Sequence, residues 1–161
     1  MNDKNTFKEE EELNYNKQYL LCSYADMYYG IPLHIVHEVV ETSKEYELPI
    51  PKNNITGLVN VKNSVFGLIS PDKLFTKVTH NINKQGHSCV ILCDINGIEF
   101  GIKVDNVYEV IHIDIKALHD ISSTSPQTAS SCAKYLYEME DKIVTCIDEK
   151  NLLNNILNQS A

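Results

Sequence analysis

The chain contains no arginine. All 14 basic residues are lysines, and 22 acidic residues give the 161-residue chain a formal net charge of −8. Codon bias in an AT-rich genome would explain the missing arginine without any functional cause. Its physical effect is the same: the chain lacks the planar bidentate group that reads phosphates and base edges, and its acidic surface repels nucleic acid and anionic membranes. We therefore expect no nucleic-acid or membrane partner.

Long apolar segments are also missing. No run of about 18 apolar residues occurs, so the sequence predicts no membrane-spanning helix and no direct membrane insertion. Residues Met1 to Lys17 are charged and lack the apolar core of a signal peptide. The five cysteines are odd in number and form no Cys-x-x-Cys pair, which favours reduced thiols and a cytoplasmic location.

Clusters of chemically reactive side chains are scarce as well. The six histidines are scattered, and no set of His, Cys and carboxylate residues has the spacing of metal ligands. Cys22, Cys93 and Cys146 alternate within apolar segments, as small core side chains do, whereas a catalytic thiol needs a positioned base. The sequence therefore predicts no metal, no cofactor, no catalytic residue and no enzyme activity.

What the sequence does contain is an internal repeat. Residues 29–39 match residues 100–110 at an offset of 71, with the patterns Tyr-Gly-Ile-x-Leu-x-x-Val-x-Glu-Val and Phe-Gly-Ile-x-Val-x-x-Val-x-Glu-Val. Over residues 20–39 seven pairs are identical, where ordinary composition would give about one. The period exceeds the roughly 20–50 residues of solenoid repeats. The repeat therefore predicts two small, pseudo-symmetric subdomains.

The local patterns predict short strands separated by turns. About ten such strands indicate barrels or sandwiches rather than βαβ units. Asn96-Gly97 predicts a type I′ hairpin, Pro49 and Pro51 predict a rigid corner, and Ser70-Pro71 predicts the start of a short helix ending near Phe75. Asp148 is expected to cap a terminal helix with an apolar stripe of Leu152, Leu153, Ile156 and Leu157.

These elements suggest one ordered domain behind an acidic segment. Residues 1–16 include four consecutive glutamates and are expected to be flexible, or to form a short solvated helix. The domain is predicted over residues 17–158. Its first repeat covers about 18–75, a polar linker covers 76–87, and the second repeat covers about 88–155.

The repeated residues resemble the CheW-like domain of bacterial chemotaxis. The resemblance covers about residues 18–155 and runs through Gly30-Ile31-Pro32-Leu33, Val36-x-Glu38-Val39, Pro51, Gly57-Leu58-Val59-Asn60-Val61, residues 101–110 and Leu152-Leu153. It implies a mainly β fold of two intertwined, SH3-like, five-stranded β-barrels with short helices and a C-terminal helix. It also implies a non-enzymatic adaptor that couples chemoreceptor cytoplasmic tips to the regulatory domain of a CheA-type histidine kinase, in the cytoplasm and at membrane receptor arrays.

The same resemblance suggests the contact residues. It places partner binding at Val36, Glu38 and Lys62, where Lys62 replaces the arginine of a Leu-Arg-Gly motif in the receptor-contact region. Packing of Val36 in the core and simple solvation of Glu38 are the alternative interpretations. Further departures from the family pattern are Ser70-Pro71 for Asp-Leu and Tyr135 for Gly.

Four motif residues are expected to act in the fold rather than in binding. Gly30, Gly57 and Gly101 suit close backbone approach or strand curvature, and Asp105 suits a turn in which its carboxylate accepts nearby amides. A small-molecule-binding barrel is the alternative function. It would need a cavity of about 300 Å³ or more, whereas small barrels are filled by their own side chains.

Overall fold

The computed structural model describes residues 18–42, 45–52, 55–74, 88–120 and 132–157. The predicted acidic segment 1–16 and the linker 76–87 lie outside these ranges. Within them the chain forms twelve strands and two α-helices. Their bounds are β1 Gln18–Tyr24, β2 Met27–Pro32, β3 Val36–Thr42, β4 Glu45–Lys52, β5 Ile55–Val61, β6 Ser64–Ile69, α1 Pro71–Leu74, β7 Ser88–Ile95, β8 Ile98–Val104, β9 Asn106–His112, β10 Leu118–Asp120, β11 Ala133–Met139, β12 Lys142–Ile147 and α2 Glu149–Leu157.

The strands form two six-stranded sheets. The first sheet has the order β3-β7-β8-β6-β5-β4, and the second has the order β10-β11-β12-β2-β1-β9. The mainly β class and the two-part organisation are confirmed. Each sheet contains one strand more than the five predicted for each barrel, because β4 and β10 were not recognised in the sequence.

The composition, length and position of β4 and β10 explain why the sequence did not predict them. Strand β4 includes Pro49 and Pro51, where a rigid corner was predicted and no strand was recognised. It is the terminal strand of its sheet, and its ladder with β5 is irregular between Glu47 and Lys52, so a missing backbone N–H costs little there. Strand β10 has only three residues and is also terminal.

Each sheet takes strands from both repeats. The hairpin β1–β2 belongs to the first repeat but pairs with β9 and β12, and the hairpin β7–β8 of the second repeat pairs with β3 and β6. The repeats are therefore intertwined, and neither sheet is encoded by one contiguous segment of the chain.

The hydrogen-bond registers of the two sheets match residue by residue. At the offset of 71, β3 pairs with β7 as β9 pairs with β1, and a β-bulge interrupts both ladders at the same place. At an offset of 78, β6 pairs with β5 as β12 pairs with β11, and this bulge recurs too. Examples of equivalent pairs are Val36–Cys93 with Val107–Cys22, Val40–Val90 with Ile111–Tyr19, and Leu68–Gly101 with Cys146–Gly30. These matches confirm that the sequence repeat is a structural repeat.

Buried side chains form three clusters. The largest combines the outward faces of β1–β2 and β7–β8 with α1 and α2, and includes Cys22, Cys93, Ile31 and Ile102. The inner face of the first sheet holds Val59, Leu68, Val90 and Leu92. The inner face of the second sheet holds Tyr19, Leu21, Ile111, Ile113, Val144 and Cys146. The two inner faces are thus occupied by the protein's own side chains, which favours the adaptor over the ligand-binding alternative.

The helices begin where the sequence predicted. Helix α1 starts at Pro71, and Asp148 caps α2 through Oδ2, which accepts the backbone N–H of Asn151 at 3.2 Å. Leu152 and Ile156 are buried, but Leu157, which was expected on the same stripe, is exposed. Among the described residues, no helix is long and apolar enough to cross a bilayer.

Gly30 and Gly101 are glycines for the same packing reason in the two sheets. A Cβ at Gly101 would lie 2.7 Å from Val90 Cγ1, and a Cβ at Gly30 would lie 3.3 Å from the side chain of Tyr19. Val90 and Tyr19 are themselves equivalent at the offset of 71. Each glycine therefore leaves room for a large side chain on the neighbouring strand, as predicted for a close approach.

We expect Gly101→Ala to lower the free energy of unfolding by about 1–3 kcal/mol, because the added methyl group overpacks a full interior. Urea denaturation would measure this change in the free energy of unfolding. The double variant Val90→Ala/Gly101→Ala should lose less than the sum of the two single variants, since removing the valine methyls frees the space. Additive losses, or a Gly101→Ala variant as stable as the wild type, would contradict this packing role.

Candidate partner-binding surface

Two of the three predicted contact residues meet in the structure. Lys62 Nζ donates to Glu38 Oε1 at 2.7 Å, and their side chains are 75% and 32% exposed. Glu38 lies on β3 opposite Leu92 of β7, so the pair sits beside the inner face of the first sheet. An ion pair this exposed contributes about 0–1 kcal/mol to stability. Its position at the surface therefore matters more than its energy.

The turn that carries Lys62 is a tight hairpin. Lys62 and Asn63 join β5 to β6 with φ angles of +50° and +66°, the left-handed pair that type I′ turns require. The predicted Asn96-Gly97 turn has the same character, with φ of +54° and +85°. Asn63 suits this conformation but a lysine does not. The hairpin holds the Lys62 backbone at the position from which its ammonium reaches Glu38.

Val36 is the third predicted contact residue, and it is half-buried. It lies opposite Cys93 and packs against the cluster between the sheets. The core-packing interpretation of Val36 is therefore the one that the structure favours. The exposed aliphatic residue of β3 is Val39, at 41%, which the sequence reasoning missed.

Exposed aliphatic side chains occur at equivalent positions of the two repeats. Val39 is 41% exposed and its equivalent Val110 is 40% exposed; Val65 and its equivalent Ile143 are both 63% exposed. Single exposed apolar residues are ordinary. Here the exposed aliphatic residues recur as matched pairs in the two repeats.

We name the two equivalent surfaces the first rim and the second rim. In the first rim the ion pair joins β3, which carries Val39, to the turn that precedes β6, the strand that carries Val65. The first rim consists of Glu38, Val39, Lys62, Asn63 and Val65. The second rim consists of the residues at the matching register positions, which are Glu109, Val110, Glu140, Asp141 and Ile143.

The remaining motif residues support the fold. Asp105 Oδ2 accepts the backbone N–H of Ala25 at 2.8 Å, and the Asp105 N–H donates to Ser23 O at 2.8 Å. The amide that it binds belongs to the opposite repeat, so Asp105 links the two hairpin systems instead of closing a local turn. A Cβ at Gly57 would lie 2.9 Å from the carbonyl oxygen of Tyr46, which leaves no room for a side chain against β4.

Four of the five thiols are buried, and Cys89 is partly buried. Across the described ranges, no three His, Cys, Asp or Glu side chains are grouped to hold a metal ion. Burial raises the pKa of the Cys22, Cys132 and Cys146 thiols to about 12. Burial, with Cys22 nearby, also raises the pKa of Cys93. Such thiols stay protonated at neutral pH and are poor nucleophiles.

A family model described as the CheW-like domain matches residues 18–157. The chain belongs to the CheW-like family. Among solved structures, it is similar to the crystal structure of the scaffolding protein TtCheW from Thermoanaerobacter tengcongensis, with 25% sequence identity and a TM-score of 0.67 over 83% of this chain and 85% of that chain. No curated protein matches the sequence. The CheW-like match covers both rims, so each rim is a part of the conserved domain and not an appendage.

The thiols of this CheW-like domain provide a direct test of its burial pattern. At pH 8 we expect an aromatic disulfide reagent to label Cys89 first, because Cys89 is only partly buried, whereas the other four thiols are buried. Burial and Glu41 raise the pKa of Cys89, so even this reaction should accelerate as the pH rises further. Cys89→Ser should abolish the fast phase. A second fast-reacting thiol in the folded protein would contradict the assignment.

Proposed function

We propose that this CheW-like protein is a non-enzymatic cytoplasmic adaptor that couples chemoreceptor tips to the regulatory domain of a CheA-type histidine kinase. The proposal is supported by the family match over residues 18–157 and by the similarity to a protein described as a scaffold. Four buried thiols and the side chains that occupy the inner sheet faces support a function performed at the outer surface.

The observation that carries the proposal is the pair of equivalent rims. Each rim combines two exposed aliphatic side chains with polar or charged residues next to them in the chain, and apolar and polar side chains together are the usual composition of a protein contact. A duplicated fold with two such rims can hold two partners at once. That is the minimum requirement for an adaptor, whereas an enzyme or a carrier of small molecules needs one concave site.

Lys62 is proposed as a receptor contact on the first rim. Its side chain is 75% exposed, and its ammonium lies beside one carboxylate, so a receptor carboxylate could share it. Because an ammonium is a point charge without the planar fork of arginine, such a contact would be loose and easily screened by salt.

We expect either Val65→Asp or Ile143→Asp to weaken binding of the kinase regulatory domain about tenfold or more, because each places a charge in an apolar contact. Titration by calorimetry would show which rim binds the kinase. Asn60→Asp is the matched control for Val65, since Asn60 lies opposite Val65 on β5 and adds the same charge without removing an aliphatic group. Unchanged binding of both kinase and receptor in both variants would contradict the proposal.

We expect Lys62→Glu to weaken receptor-tip binding severalfold at low salt and less at high salt, because exposed charge pairs are screened. Glu38→Gln distinguishes a direct receptor contact by Lys62 from an effect of the Lys62–Glu38 ion pair on the shape of the rim. If Lys62 touches the receptor, this variant frees its ammonium, and binding should be kept or improved. If both variants weaken receptor binding equally, the ion pair acts only on the shape of the rim, and Lys62 is not a contact.

A further inference from the structure

The two rims occupy matching register positions but differ in charge. The first rim contains one acid, Glu38, and one base, Lys62, so its formal charge is zero. The second rim contains three acids, Glu109, Glu140 and Asp141, so its formal charge is −3. The aliphatic residues are retained in both, and the charged residues around them are not. The difference therefore concerns which partner each rim accepts.

Glu140 occupies the position of Lys62 by register, and both residues have a positive φ, although the residue that follows has a positive φ at Asn63 and not at Asp141. The turn residues follow Met139 as Lys62 follows Val61, and φ is +54° at Glu140 and +50° at Lys62. Glu109 is likewise the equivalent of Glu38, with which it shares the repeated Val-x-Glu-Val motif. The arrangement that joins a base to an acid in the first rim thus presents two acids in the second.

The acids of the second rim are not neutralised within the described part of the chain. All three are exposed, and no ion pair of the described residues includes them. The nearest lysine in sequence is Lys142, whose Nζ lies 4.9 Å from the centroid of the Tyr28 ring. Like charges close to one another are unfavourable, and local arrangements that oppose stability are expected at functional sites.

We infer that the second rim receives a protein surface on which lysine or arginine side chains flank an apolar contact. This inference rests on the proposed adaptor function and adds the chemistry of one partner. A basic protein surface would neutralise Glu109, Glu140 and Asp141 while covering Val110 and Ile143. Nucleic acid and anionic lipid are repelled by the same charges. A second copy of the chain, itself at −8, is a poor occupant.

The charge difference also allows the two rims to bind different partners. A partner with a basic contact gains attraction at the second rim and none at the neutral first rim, where Lys62 and Glu38 satisfy each other. Charge then directs each partner to one rim although both rims present the same aliphatic pattern. Complementary charge acts chiefly on specificity and on the rate of association.

The test compares charge variants of the second rim with the full chain and two probes, the kinase regulatory domain and the receptor tip of the same organism. Glu109→Gln/Glu140→Gln removes two of the acids, and Glu140→Lys copies the first rim. Glu47→Lys on β4 is the control, because it changes the net charge by the same amount as Glu140→Lys at an exposed site outside both rims. Association and dissociation rates are measured at about 50 mM and 500 mM salt, and circular dichroism checks folding.

For one of the two probes we expect Glu140→Lys and the double variant to bind about fivefold more weakly at low salt, mainly through slower association, and nearly as the wild type at high salt. Glu47→Lys should change binding less than twofold. Equal binding of all variants at low salt would overturn the inference, as would an equal loss in Glu47→Lys. Self-association that disappears in Glu140→Lys while both probes bind normally would assign the rim to a second copy and also overturn it. If the wild type binds neither probe, the adaptor function itself fails.

Discussion

Pairing between the two repeats is the constraint on which the rest of the structure depends. The ladders β1–β9 and β3–β7 join residues 46 to 94 positions apart in the chain. They bring the outward faces of the two hairpins together and so create the largest buried cluster. The β3–β7 ladder also sets Glu38 opposite Leu92, within reach of Lys62. Without this exchange of hairpins there is no shared core and no first rim.

The matched backbone tolerates large differences in side-chain volume. On the inner faces, Tyr19 stands where the first sheet has Val90, and Tyr135 stands where it has Gly57. The second interior therefore holds more aromatic volume than the first, which changes the packing but not the register. Sheet pairing is set by backbone hydrogen bonds and by which face is buried. The sequences of the two interiors could therefore diverge while the strand order stayed the same.

Much of this fold could be predicted from the sequence, because the repeat and the hairpin turns are local signals. The errors arise where local patterns are broken. A bulge between Val36 and Glu38 shifts the alternation of β3, so Val39 and not Val36 faces solvent. The ion pair of Glu38 and Lys62 could not be predicted from the sequence. Each residue suggested a partner contact separately, and the two meet only in the folded sheet. Strand β4 was hidden by prolines that only a terminal strand accommodates.

The exchange of hairpins has a consequence for the origin of the chain. Two copies of one repeat, each lending its first hairpin to the other, would form a domain-swapped homodimer with the same strand order. Such a dimer must carry two identical rims, since any substitution appears in both copies. Fusing the copies into one chain removes that restriction. In the single chain the two halves can differ, and the equivalent turn positions, Lys62 and Glu140, carry opposite charges.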